Sequence, residues 1–199
     1  DAIDKELNRI YKDQKPSHYG TDINKRALFG GNEYLDGFSI YDSNNGYKHL
    51  ITYGMTELYA SIDSFGDTES GWGYEMTIKL IEETNENCVW AINMLSNIAN
   101  YTFSHGMLIE PKQHMGGKGT SLHEGTNSMI TSLLFVSDSE LNKINAPHGK
   151  VEFLQLFGLM EVELEALRNK EISKDEFIRN IKLNNPYFVT DMKRTKAYL

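Results

Sequence analysis

Residues 73–80, GYEMTIKL, carry the clearest pattern in the chain: Tyr74, Met76, Ile78 and Leu80 alternate with Glu75, Thr77 and Lys79. A period of two predicts a half-buried strand, apolar face inward and polar face outward. Upstream, Ile3, Leu7, Ile10 and Tyr11 share one helical face, which Pro16 closes, and Gly30-Gly31 marks a turn. FSIYDS (38–43) and YKHLITY (47–53) flank Asn44-Asn45-Gly46, a hairpin signal. The polar EETNEN (82–87) resets the period. From Val89 to Ser104 the chain reads as helix, with Ala91, Leu95 and Ile98 at i, i+4 and i+7 and Gly106 placed to stop it.

MITSLLFV (129–136) and VEFLQLF (151–157) are apolar on both faces, which predicts interior strands. In the second, Val151, Phe153 and Phe157 line one face and Leu154 and Leu156 the other. Glu161, Glu163 and Glu165 precede Arg168 and Lys170 around Leu164 and Leu167, the charge order a helix dipole favours. Ser173 with Glu176 forms a capping box for a last helix through Ile181, and YFVTDM (187–192) returns to strand. Strands and helices intermix without a βαβ rhythm. The expectation is one α+β domain over 1–199, a mixed, mostly antiparallel sheet flanked by helices.

Composition narrows the function classes. With 40% hydrophobic and 11% aromatic residues, the 199-residue chain can bury a proper core. No apolar run reaches the roughly 18 residues of a membrane span, and no secretory segment opens the chain. It starts at Asp1, so a few N-terminal residues are expected to be missing. The single cysteine, Cys88, allows no internal disulfide and reads as a buried small apolar residue, which fits a cytoplasmic protein. A net charge of −8 repels nucleic acids and anionic membranes and suits a basic protein partner, although the same balance also serves solubility alone.

HMGGKGTSLHEGTNS (114–128) concentrates the chemistry-bearing residue types. A Walker loop needs G-x-x-x-x-G-K-[ST] leading into a helix. Here Gly117-Lys118 is followed by Gly119, and the next segment reads as strand. His105, His114 and His123, with Glu110 and Glu124, are zinc-ligand types, so a metal-dependent hydrolase is the alternative function. Their spacing guarantees no geometry, and plain surface histidines are the simpler explanation. There is no H-E-x-x-H, no G-x-S-x-G and no marked carboxylate pair. No cofactor, metal or catalytic residue is expected.

Six segments resemble the Suppressor of fused family: LFGGNEYLDGFSIY (28–41), KHLITYGMTELY (48–59), SGWGYEMTIKL (70–80), IANYTF (98–103), HGKVEFLQLFGLMEVEL (148–164) and FVTDMKR (188–194). They fall in family order and cover nearly the whole chain. The resemblance implies a mixed sheet flanked by helices and a protein that works by binding other proteins, without catalysis. Animal members hold Gli-type transcription factors between this domain and a second one, for which this chain does not account. It is more similar to stand-alone bacterial members, many of which look like immunity proteins that neutralise a cognate toxin.

Two places carry over from the animal peptide-binding face: Tyr101, and the polar pair Gln113-His114, where Gln113 replaces a partner-contacting aspartate. Residues 114–128 lie where family members vary, as a surface loop would, which adds Lys118 and His123 to the expected partner-binding set. Trp72, between two glycines at a strand start, is expected in the core. The expectation is a monomer that binds one protein, with no nucleic acid and no membrane.

Overall fold

Two twelve-residue strands organise the molecule in the computed structural model, which describes residues 2–20, 35–59, 62–116 and 118–199. Among these residues the strands are β1 (Ser17–Gly20), β2 (Gly37–Asp42), β3 (Lys48–Tyr53), β4 (Glu69–Leu80), β5 (His114–Gly116), β6 (Ile130–Ser137), β7 (Ile144–Ala146) and β8 (Gly149–Met160). The helices are α1 (Ala2–Tyr11), α2 (Val89–His105), α3 (Glu161–Arg168) and α4 (Lys174–Asn184). One sheet runs β1-β2-β3-β4-β8-β6-β5, with β7 on β8. Its pairings are antiparallel except β4 with β8, so the α+β expectation holds. The β2–β3 hairpin turns at Gly46, whose φ of 81° suits glycine. Gly106 ends α2 in the left-handed region, and Ser173 caps α4 by accepting the Glu176 N–H at 3.2 Å. Gly30-Gly31 lies outside the described residues.

Each sheet face carries its own core. On one, α2 lays Ala91, Leu95 and Ile98 against Leu50, Met76, Ile78, Phe135, Leu154 and Leu156. The other holds two apolar clusters. Ile3, Leu7 and Tyr11 of α1 meet Ile51, Val151 and Phe153, while Phe177 and Ile181 of α4 meet Leu134, Phe157 and Phe188. VEFLQLF is thus interior on both faces, as expected, and Trp72 packs edge-on to Phe103 at the margin of the first core.

Two expectations fail. GYEMTIKL is not half-buried: Glu75, Thr77 and Lys79 are as inaccessible as the apolar residues between them. β4 lies mid-sheet with both faces covered, so its polar row is satisfied inside the protein. Glu75 accepts the hydroxyls of Thr52 and Thr56, both at 2.7 Å, and the N–H groups of Gly54 and Thr56. Thr77 and Lys79 donate to Asp138 at 2.6 and 3.1 Å. YFVTDM is not a strand either. Thr190 makes one isolated parallel bridge to Leu80, and the Gln155 amide instead holds the segment through the carbonyls of Tyr187 and Phe188.

Candidate functional site

The segment that begins 114–128 is a strand before it is a loop. Lys112 donates its N–H to the Phe135 carbonyl at 2.7 Å, the Phe135 N–H returns to the Gln113 carbonyl at 2.9 Å, and His114–Gly116 then continue antiparallel to β6. β5 ends the sheet; among the described residues no other strand lies beyond it. Its outer edge therefore offers backbone groups to an added chain. Met115 packs against the α2-side core, so His114 and Gly116 face the opposite side, where Leu164 and Arg168 of α3 crowd Gly116.

Between α2 and β5 runs a groove of about 630 Å³. Trp90, Met94 and Asn97 line it from the helix, Met115 and Leu122 from the other side, and Glu86 and Glu124 add carboxylates. Among the described residues no lysine or arginine lines it, so its field favours a cation. Residues 122–126 are tied down: Leu122 donates to the Ile130 carbonyl at 2.9 Å, and the Thr126 hydroxyl to the His123 carbonyl at 2.7 Å. These bonds hold the His123 ring stacked on Trp90, centroids 5.1 Å apart.

The expected partner-binding residues fall unevenly around this groove. His123 lines it, and His114 adjoins it through Met115 on β5. Tyr101 lies one helical turn beyond Asn97, 38% exposed, stacked on His105 and donating its hydroxyl to Met107 Sδ at 3.2 Å. Gln113 is exposed at the entrance to β5. Lys118 is exposed with φ of 57° and does not line the groove. Reasoning from sequence missed Trp90, Asn93, Met94 and Asn97. Their i, i+3, i+4, i+7 spacing on the outer side of α2, running on to Tyr101, is a signal that could have found them.

The histidines proposed for metal do not converge. His105 Nδ1 lies 3.0 Å from the Tyr101 carbonyl and His123 covers Trp90. Among the described residues no three His, Cys, Asp or Glu side chains come together, so the hydrolase reading has no ligand set. His114 faces cations instead: burial, then Lys174 and Arg168, hold its imidazole below the usual histidine range. Burial also pushes the Cys88 thiol up to about 12, which leaves it inert. A second cluster, with Tyr11 2.6 Å from His49 Nδ1 and Asp138 3.0 Å from Nε2, has the makings of a proton relay but is sealed within the core.

The family model described as Suppressor of fused protein (SUFU) matches residues 31–195. The Suppressor of fused homologs of Mus musculus and Homo sapiens are each 28% identical over a gapped alignment of 211 positions, which covers 97% of this chain but 42% of the relative. The chain thus spans less than half the length of those relatives. Among solved structures, the Sufu–Fu complex aligns with a TM-score of 0.84 at 24% identity, covering 99% of this chain and 91% of that one. Drosophila Suppressor of Fused gives 0.80 at 26% identity, covering 99% and 50%. A Neisseria gonorrhoeae SUFU homolog gives 0.62 at 14% identity over 100% and 95%, a likeness of fold. Among the described residues no helix is long and apolar enough to cross a membrane.

Proposed function

The chain belongs to the Suppressor of fused family, and from that premise we propose that it is a non-catalytic protein-binding domain whose partner lies along the outer edge of β5 and in the adjoining α2 groove. The carrying observation is the edge of β5, unpaired among the described residues, beside the groove walled by Trp90 and His123. Strand addition supplies main-chain hydrogen bonds, and the flanking groove selects side chains. A relative solved as the Sufu–Fu complex supports protein binding as the mode of action.

The partner is a cognate toxin, and the chain acts as its cytoplasmic immunity protein in a bacterium, occluding the toxin's working surface one to one. The net charge of −8 and the carboxylates of Glu86 and Glu124 at the groove favour a basic partner.

Copurification from the native host should recover one dominant basic protein at equal stoichiometry. A photo-crosslinker in place of Tyr101 or His123 should join it, and the crosslink should vanish when β5 is blocked. Crosslinks that map instead to α1 or to the β1 edge would overturn the proposed surface. Turnover of a small substrate, with no partner recovered, would overturn the binding function itself.

A further inference from the structure

β5 has a second side, turned away from the groove, and it is basic in an acidic protein. Gly116 has no Cβ, which lets Arg168 lie on the strand: a Cβ there would stand 2.8 Å from a guanidinium nitrogen and 2.9 Å from Leu164 Cδ2. Two positions earlier on the same side is His114, within the electrostatic reach of both Arg168 and Lys174. Lys112, next in the same alternation, is already paired with Asp175 at 2.6 Å.

Arg168 and Lys174 differ from Lys112 in one respect. Among the described residues, no side-chain hydrogen bond or ion pair engages either of them. His114 Nδ1 is likewise buried with no hydrogen-bond partner. Buried polar nitrogens in folded proteins are nearly always satisfied, so one that is not calls for a ligand or a partner group. Arg168 of α3 lies against the strand two residues away, and Lys174 at the start of α4 acts on the imidazole electrostatically. An anion bound beside His114 would gain from both charges. A guanidinium beside a strand presents a planar fork, which matches the two oxygens of a carboxylate.

We propose that His114, Arg168 and Lys174 form an oxyanion site, filled in the working complex by a carboxylate side chain of the partner segment that lies along β5. The occupant rests on the binding mode proposed above; the site's chemistry does not. Side chains on an added strand alternate, so those on one side enter the acidic α2 groove while those on the other reach Arg168. The recognised segment therefore carries one Asp or Glu on the side that faces Arg168, with basic or apolar residues at the positions next to it.

The test needs no partner, so its failure is distinct from failure of the partner reading. Inorganic phosphate is titrated into the full chain at constant ionic strength, with chloride as reference, while the His114 ring and Gly116 amide resonances are followed by NMR. Saturable shifts are expected, with affinity weakened about tenfold or more in Arg168→Ala/Lys174→Ala, the value of losing one charge-assisted hydrogen bond. Lys112→Ala, which removes the same kind of charge from a pair already satisfied, should weaken binding less than about twofold. N-acetylaspartate amide should compete with phosphate and N-acetylasparagine amide should not. Both substituted side chains are exposed, and unchanged melting confirms that the variants fold. Absence of a saturable shift, equal binding by the double variant, or equal competition by the asparagine derivative would overturn the site.

Discussion

Replacing Asp138 with asparagine tests whether the polar layer beneath β4 holds the two halves of the inner face together. The carboxylate is fully buried and accepts five donors. Oδ1 takes Lys79 Nζ at 3.1 Å and the N–H groups of Glu140 and Leu141 at 2.8 and 3.1 Å; Oδ2 takes His49 Nε2–H at 3.0 Å and the Thr77 hydroxyl at 2.6 Å. Asparagine fits the space but brings one acceptor oxygen and an NH₂ group. Its better orientation keeps the oxygen on the Lys79 side and turns the NH₂ toward Thr77 and His49. Breaking a buried pair by removing one charge costs about 3–5 kcal/mol. Glu140 still pairs with Lys79 at 2.9 Å, which places the loss near the lower end, about 3 kcal/mol. For a domain of this size that is a drop in Tm of about 6–12 °C. Burial alone would raise the Asp138 pKa, but His49, Lys79 and Thr77 outweigh it and hold it well below its ordinary 3.8. A depressed carboxylate contributes stability above its unfolded pKa and loses it as pH falls toward the folded one. Urea unfolding followed by tryptophan fluorescence should give a constant difference between native and variant from pH 7 to about 5, closing below about pH 4. A loss under about 1 kcal/mol at pH 7, or a gap that persists undiminished at pH 3, would refute the reasoning.

Phe153→Ala should cost about 3–5 kcal/mol through lost burial and the cavity left under α1, whereas Lys118→Ala should stay within about 0.5 kcal/mol; urea titrations compare them directly. Gly116→Ala should cost about 1–3 kcal/mol, because buried Leu164 cannot retreat from the new methyl as the Arg168 side chain can; a neutral result would mean that Leu164 does not pack against the strand here. Tyr101→Ala and His123→Ala should each weaken partner binding by about 1–2 kcal/mol in calorimetry while leaving Tm within a degree or so. Loss of folding in either would mark it as a packing residue instead.

Where one face of an element is apolar and its ends carry caps, the sequence showed it: α1, the β2–β3 hairpin, α2 with its Gly106 stop and α4 behind Ser173 are all visible. Alternation in β4 was equally plain, but it reports only that two faces differ, not that one is wet. The partners that let Glu75 and Lys79 be buried, Thr52, Thr56 and Asp138, come from other segments and leave no local signal. YFVTDM has strand composition, yet Gln155 takes the carbonyls that a neighbouring strand would need. β5 is three residues long and contains a glycine, too short for any period to register. The groove combines a helix row that could be read along α2 with a far wall set by tertiary packing, and the seat of His123 on Trp90 belongs to the second.

The parallel pairing of β4 with β8 also shapes how the chain reaches this structure. Met76 meets Leu154 from about 80 residues away, while β1 to β4 form a meander of immediate neighbours. β6 and β8 pair across a much shorter stretch of chain. Each half can therefore assemble early, and closing the long loop between them is the entropic hurdle that sets the pace, in the slow range of topologies dominated by distant contacts. Until that seam closes, two long apolar strands lie open along their inner edges. A second copy at high concentration can offer the same edge, so refolding yield should fall with protein concentration, through exchange of halves between chains.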